Sequence, residues 1–123
     1  MVKVRPAHYV RAVGDTYGPI ELVVVSGLPN TVTTGTTCVA AVRTANATEL
    51  VEAVTAAVVS PALSEDGETY GATLRLSTLT TITTTAGRYW IQFTLTHTGG
   101  TIQTLPPASE LTLEVVPAYR LYD

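Results

Sequence analysis

The residues best suited to nucleophilic, acid–base or metal chemistry are Cys38 and the two histidines, His8 and His97. A catalytic nucleophile needs a base and an orienting acid beside it, and neither histidine lies in a G-x-S-x-G or H-E-x-x-H pattern. We expect both histidines to be solvated. Cys38 alternates with Ala40 and Val42, which predicts a small buried side chain rather than a reactive thiol. The sequence therefore predicts no catalytic residue and no enzyme activity.

The acidic segment SEDGETYG, residues 64–71, gathers three carboxylates around a glycine. Loops of this kind can bind calcium, but the spacing does not match the alternating oxygen ligands of an EF-hand. Acidic loops that contain glycine are more often solvated turns. We therefore predict no metal site and no cofactor.

Trp90 is the one tryptophan of the chain and the side chain best suited to binding by stacking. If its segment is a β-strand, Tyr89 and Ile91 share one face, and Arg88, Trp90 and Gln92 share the polar face. Three interpretations remain open for this outward tryptophan. It is a subunit contact, a residue covered by another part of the chain, or a platform that stacks on a sugar ring with hydrogen bonds from Arg88 and Gln92.

Composition indicates one globular domain that has to position these residues. The chain has 123 residues, of which 46% are hydrophobic and 14% charged, a balance typical of a folded domain rather than a disordered segment. The net charge of −3, with seven scattered basic residues, argues against a nucleic-acid partner. The start lacks the apolar run of a signal peptide and no segment has membrane-spanning length, so we expect a soluble protein with no membrane partner.

Eight short segments rich in Val, Ile, Thr and Tyr predict an all-β antiparallel sandwich. Segment 49–59 also has apolar residues at helical spacing after a capping-box pattern, so a short helix is an alternative there. Its recurring valines favour a strand. Gly99 and Gly100 separate two of the segments and predict a tight hairpin. The predicted strands are 9–13, 20–26, 36–43, 49–59, 72–79, 88–96, 101–105 and 110–116.

The passage Ala86-Gly87-Arg88-Tyr89 resembles the connection between strands E and F of immunoglobulin-like domains. In those domains a tyrosine near the start of strand F bonds back to the backbone of the preceding turn. The resemblance implies that Gly87 and Tyr89 are fold-fixing residues. Ile91 stands where many such domains have their second cysteine, and Cys38 is the single cysteine here. An immunoglobulin-like sandwich with no disulfide is therefore implied.

Four pieces together resemble the amino-terminal immunoglobulin-like domain of upper baseplate proteins of tailed bacteriophages. They are GDTYGPIEL (14–22), TGTTCVAAVR (34–43), AGRYWIQFTLTHTGGTIQTLP (86–106) and LTLEV (111–115). The resemblance implies a non-enzymatic structural protein of the virion, placed in the baseplate, tail or neck or as a capsid decoration protein, and synthesised in the cytoplasm of a bacterial host. Its partners would be other virion proteins and copies of itself.

The two ends of the chain are further candidates for contacts with a partner. We expect a single β-sandwich domain over residues 1–123, with residues 1–13 and 117–123 as candidate docking arms. Both segments carry aromatic or apolar residues outside the core of the predicted sheet, and such residues are common at interfaces. They could equally fold back over the sandwich. The candidate interface residues are Trp90, Tyr9, Tyr119, Leu121 and Tyr122, and the alternative function is a carbohydrate-binding module that uses Trp90.

Overall fold

The computed structural model describes residues 2–14, 19–45, 50–76, 85–106 and 111–117. These residues form nine β-strands and no helix. The strands are β1 (Lys3–Arg5), β2 (Ala7–Ala12), β3 (Ile20–Leu28), β4 (Thr37–Thr44), β5 (Leu50–Leu63), β6 (Tyr70–Leu76), β7 (Gly87–Thr96), β8 (Ile102–Leu105) and β9 (Leu111–Val116).

The strands are arranged in two sheets that together form a nearly closed, barrel-like sandwich. Neighbours follow the order β1-β3-β6-β5-β4-β7-β9-β2, and β8 pairs with β7 beside this path. The first sheet contains β1, β3, β6 and the second half of β5. The second sheet contains the first half of β5 with β4, β7, β8, β9 and β2. The predicted all-β, immunoglobulin-like sandwich without a disulfide is confirmed, with one parallel pair, β2 and β9, among the antiparallel ones.

The segment for which the sequence allowed either a helix or a strand forms β5. Its first half pairs with β4 and its second half with β6, so one strand belongs to both sheets. The register shifts between Val59 and Ala62, where Ser60 has a positive φ of 53°. Such an irregularity bends a strand and increases its twist, which suits the passage from one sheet to the other. The strand prediction is confirmed and the helix alternative is wrong.

The amino-terminal segment belongs to the sandwich. β1 pairs with β3 in the first sheet and β2 pairs with β9 in the second, and Pro6 between them has no amide hydrogen to donate to a ladder. The hydroxyl of Tyr9 accepts a hydrogen bond from the Glu21 amide at 3.1 Å and donates one to the Glu21 carbonyl at 3.2 Å. β1 and β2 are therefore sheet strands rather than parts of a free docking arm.

The core lies between the inner faces of the two sheets. Strands β3, β6, β7 and β9 alternate between fully buried and partly exposed residues, as expected for strands with one dry face. Cys38 is 2% exposed and belongs to this core, which confirms the prediction of a small buried side chain. The largest buried side chains include Phe93, Ile20, Leu22, Leu74, Ile91 and Leu111.

The hairpin after β7 was predicted correctly, but the exposure of its histidine, His97, was not. Gly99 and Gly100 have φ values of +95° and +90°, and the amide of His97 donates to the carbonyl of Thr101 at 2.8 Å. His97 is only 4% exposed, and its Nε2 lies 3.1 Å from the side-chain oxygen of Gln103. The expectation of a solvated His97 is wrong, because the inward alternation of β7 continues one step beyond the end of the strand.

Candidate functional site

The outer face of the second sheet brings residues from distant parts of the chain into one row. Arg43 of β4 lies opposite Trp90 of β7, and Trp90 lies opposite Thr112 of β9. Thr112 in turn lies opposite His8 of β2. Two residues before Trp90 on the same face of β7, Arg88 lies opposite Glu114. The outward placement of Trp90 therefore puts it among charged and polar side chains from four strands.

A depression of about 520 Å³ opens at this point, and we call it the Trp90 depression. Its volume lies within the range of about 300–1,000 Å³ typical of ligand sites. Trp90 is half-buried and His8 and Arg88 are exposed, so an aromatic surface and charged groups are both accessible to a partner. The lining residues are His8, Ala45, Arg88, Tyr89, Trp90, Thr112, Leu113 and Glu114.

Arg88 supplies a positive charge to the depression, and its guanidinium forms no ion pair with a group in the described part of the chain. Its backbone carbonyl accepts a hydrogen bond from the amide of Ala45 at 3.0 Å, which fixes the main chain but leaves the side chain available. Glu114 lies directly opposite in the ladder, and its carboxylate lies 3.8 Å from Nε2 of His8. The depression therefore presents a guanidinium and a carboxylate beside an indole ring.

His8 is held against β9 by two contacts. Its Nδ1 lies 2.7 Å from the Thr112 hydroxyl, and its Nε2 lies 3.8 Å from a carboxylate oxygen of Glu114. The second contact is an ion pair only when His8 is protonated, and both side chains are substantially exposed. Exposed pairs of this kind contribute about 0–1 kcal/mol. The cluster positions polar groups more than it stabilises the fold.

Tyr89 lies on the opposite face of β7 from Trp90, as predicted. It is 5% exposed, and its hydroxyl donates to the carbonyl of Thr85 at 2.7 Å, the bond to the preceding turn that the sequence led us to expect. Burial raises the pKa of this hydroxyl above its usual value. Gly87 has a φ of +156° and lies near the Tyr89 ring. The fold-fixing role of the two residues stays a prediction for mutagenesis.

The remaining candidate residues that the structure describes do not line the Trp90 depression. Tyr9 packs against the core and bonds to Glu21, whereas the docking-arm interpretation left it outside the sheet. Gln92 donates from its Nε2 to the carbonyl of Pro106 at 3.3 Å and does not line the Trp90 depression, so the structure does not place it with Arg88. Tyr119, Leu121 and Tyr122, like the rest of residues 118–123, lie outside the described residues.

Sequence reasoning missed His8, Thr112 and Glu114 as partners of Trp90. His8 and Thr112 are 104 positions apart, and no local pattern connects them. Their contact depends on the parallel pairing of β2 with β9, which follows from closure of the sandwich. The sequence predicted a solvated His8 but could not indicate which neighbours it would meet.

Asp66 uses both carboxylate oxygens to shape the acidic segment. Oδ1 accepts from the amides of Glu68 and Thr69 at 2.9 Å, and Oδ2 accepts from the Thr69 hydroxyl at 2.5 Å. The side-chain hydrogen bond from Thr69 is the main cause, followed by the two backbone hydrogen bonds, of the lowered pKa of Asp66.

Within residues 2–14, 19–45, 50–76, 85–106 and 111–117, no three His, Cys, Asp or Glu residues are grouped to hold a metal ion. No helix among these residues could cross a membrane.

Comparison with known proteins found no matching family model and no matching curated protein. Among solved structures, the chain is similar to the crystal structure of CopC from Methylosinus trichosporium OB3b, with a TM-score of 0.44 and 14% sequence identity. The match covers 98% of this chain and 100% of that one. At this level of similarity it carries no information about what this chain binds.

The resemblance to baseplate domains of tailed bacteriophages is wrong, because the comparison with solved structures returned CopC and not a baseplate protein. The assignment to the virion and its place in a baseplate, neck, tail or decorated capsid rested on that resemblance and are wrong with it. The four pieces that carried the resemblance are alternating strands and a glycine hairpin. Many sandwich domains share such patterns, so the patterns report the fold and not the family.

Proposed function

We propose that this chain is a non-enzymatic binding module that contacts a protein partner through the Trp90 depression. The observation that supports this most directly is the half-buried Trp90 beside Arg88, whose guanidinium forms no ion pair within the described part of the chain. Tryptophan and arginine are the side chains most enriched at energetically dominant interface positions. Placed in a concave site, both can be enclosed by a partner, and this enclosure removes them from water.

The surroundings of the depression also suit a protein contact. Val10 follows His8 by two residues on the outer side of β2 and is 51% exposed. Glu114 and His8 form a polar rim at the same place. An apolar and aromatic centre bordered by polar side chains is the usual anatomy of a protein interface.

The test uses immobilised protein to capture partners from a lysate of the source organism, followed by titration of each purified partner. We expect Trp90→Ala and Arg88→Ala each to weaken binding at least tenfold, since dominant interface residues cost about 2 kcal/mol or more on truncation. Ile102→Ala is the matched control, because Ile102 is 66% exposed on β8 and does not line the depression. Equal binding by all four proteins would refute the proposal.

A carbohydrate ligand is the second candidate, and the composition of the depression supports it. Trp90 could stack on a sugar ring, while Arg88, His8 and Glu114 supply hydrogen bonds from the same depression. A glycan array with the wild-type protein and Trp90→Ala tests this directly. Signals that depend on Trp90 support a glycan ligand, and an array without signal, or with equal signals, excludes it.

The carboxyl-terminal segment 118–123 remains a candidate second contact with the partner. Deletion of this segment should weaken partner binding if it is a docking arm. Unchanged affinity of the truncated protein, with an unchanged unfolding midpoint, would show that Tyr119, Leu121 and Tyr122 are not contacts.

A further inference from the structure

His8 places a group that can gain a proton at the edge of the Trp90 depression. Its side chain is 53% exposed, so solvent protons reach it. Its Nδ1 lies 2.7 Å from the Thr112 hydroxyl, and its Nε2 lies 3.8 Å from a carboxylate oxygen of Glu114. A protonated imidazole has an N–H donor at each ring nitrogen. Each of these donors would face an oxygen, so the site accommodates the charged form of His8.

Glu114 is a carboxylate that two cations of the depression can share. Arg88 lies opposite it in the ladder of β7 and β9, and His8 approaches it from β2. Opposite charges that face each other across a ladder attract one another. When His8 is neutral, the carboxylate is available to the guanidinium of Arg88. When His8 is protonated, the carboxylate has a second cation beside it and competes less for Arg88.

The net charge of the depression depends on His8. Among its lining residues, Arg88 and Glu114 carry one positive and one negative charge, which offset each other, and protonation of His8 adds a positive charge. Tyr89 also lines the depression, but burial raises the pKa of its hydroxyl, so it stays neutral. Histidine is the side chain that ordinarily changes its charge between about pH 5 and pH 8. The depression therefore changes from neutral to positive as the solution becomes mildly acidic.

Other charged groups on β2 and β3 are engaged elsewhere. Arg11 of β2 donates to two backbone carbonyls, and Glu21 of β3 pairs with Arg75 at 2.6 Å. Neither Arg11 nor Glu21 lines the depression. Within the described part of the chain, the charge of the depression is set by His8 and its two charged neighbours.

From these relations we infer that protonation of His8 switches the Trp90 depression to a form that binds a carboxylate-bearing protein partner more tightly. This inference rests on the proposed function, because it assigns the partner's contacting group and the pH at which the same contact is strongest. In the protonated form, the partner's carboxylate meets the imidazolium and the guanidinium of Arg88, which can hold it by two parallel hydrogen bonds. In the neutral form, Glu114 competes with that carboxylate for Arg88.

Trp90 supplies the readout for a binding test. It is the single tryptophan of the chain, so its fluorescence and its indole N–H signal in NMR spectra report on a ligand bound beside it. The probe is a tetra-aspartate peptide with blocked termini, titrated at pH 5.5 and pH 8 at low salt, where charges are least screened. Aspartate ordinarily ionises at about pH 4, so the peptide has the same charge at both. We expect binding about three- to fivefold tighter at pH 5.5, the size of effect that one exposed ion pair supplies.

Three variants assign the effect to the charges of the depression. His8→Gln keeps a polar side chain without a titratable group, so its binding should be equally weak at both pH values. His97 is retained in this variant, so loss of the pH dependence assigns the effect to His8. Glu114→Gln removes the competing carboxylate and should bind more tightly than the wild type at pH 8. Glu65→Gln is the matched control, since Glu65 is exposed and does not line the depression, and it should behave as the wild type does.

Three results would overturn the inference. They are the absence of saturable peptide binding at pH 5.5, equal affinity of the wild type at the two pH values, and a pH dependence that persists in His8→Gln. A protein partner that requires Trp90 and Arg88 equally at both pH values would refute the switch and leave the proposed function standing. Partner binding that ignores Trp90→Ala and Arg88→Ala at both pH values would refute both.

Discussion

The hydroxyl of Tyr89 donates a hydrogen bond to the carbonyl oxygen of Thr85, 2.7 Å away. The bond joins the first residues of β7 to the backbone that precedes the strand, while the tyrosine ring lies in the core at 5% exposure. Trp90, the next residue, faces outward into the Trp90 depression. One end of β7 therefore both carries the bond to the preceding backbone and presents the candidate binding residue.

Tyr89→Phe should lower the free energy of unfolding by about 1 kcal/mol, because it removes one hydrogen bond and leaves a carbonyl without its partner. Urea denaturation measures the change. Tyr70→Phe is the matched control, since the hydroxyl of Tyr70 has no hydrogen bond within the described residues and its partly buried ring packs against the same core. Equal stability of the two variants would contradict the anchoring role of Tyr89.

Tyr9→Phe should loosen the contact between β2 and β3. The change removes both hydrogen bonds with Glu21 and leaves a partly buried amide without an acceptor, at a cost of about 1–3 kcal/mol. We expect faster hydrogen exchange at the Glu21 amide than in the wild type. Exchange at Leu74, in the core of β6, should change only as much as global stability does. An unchanged Glu21 amide would show that the hydroxyl does not hold the two strands together.

Gly71→Ala should destabilise the first sheet. A Cβ at this position would lie 2.6 Å from the Val24 carbonyl oxygen and 2.8 Å from that of Val25, and backbone atoms cannot move aside cheaply. Overpacking of this kind typically costs about 1–3 kcal/mol. Gly35→Ala is the control, because the added Cβ would meet its nearest neighbour at an ordinary 3.7 Å. Thermal unfolding should separate the two variants, and equal midpoints would contradict the steric argument.

Cys38 should make stability depend on pH in alkaline solution. Burial raises the pKa of its thiol from 9.0 to about 11, so the unfolded state loses this proton before the folded state does. The contribution to stability is complete below pH 9 and is lost as the pH rises towards 11. Cys38→Ala should show a smaller loss of stability over that interval.

A thiol reagent at pH 8 should modify wild-type Cys38 only at the rate at which the protein opens. Rapid labelling of the folded protein would contradict the burial.

Side-chain alternation and glycine-containing turns predicted most of the strands, because both depend on the backbone geometry of a few neighbouring residues. Period-two alternation indicated that Tyr89 and Ile91 face inward and Trp90 outward, and Gly99 with Gly100 indicated the hairpin. The same rule would have indicated that His97 is buried, had the alternation of β7 been extended past Leu95. β1 was missed because three residues, two of them charged, show too little alternation to be recognised.

The sequence by itself determined the all-β class, the inner and outer faces of the strands and the outward direction of Trp90, because side-chain alternation and turn chemistry act over a few residues. Only the tertiary structure decided that β2 pairs in parallel with β9 and that His8, Thr112 and Glu114 surround the tryptophan. Those neighbours come from opposite ends of the chain. Their meeting depends on the order in which the strands close the sandwich, and no local sequence pattern encodes that order.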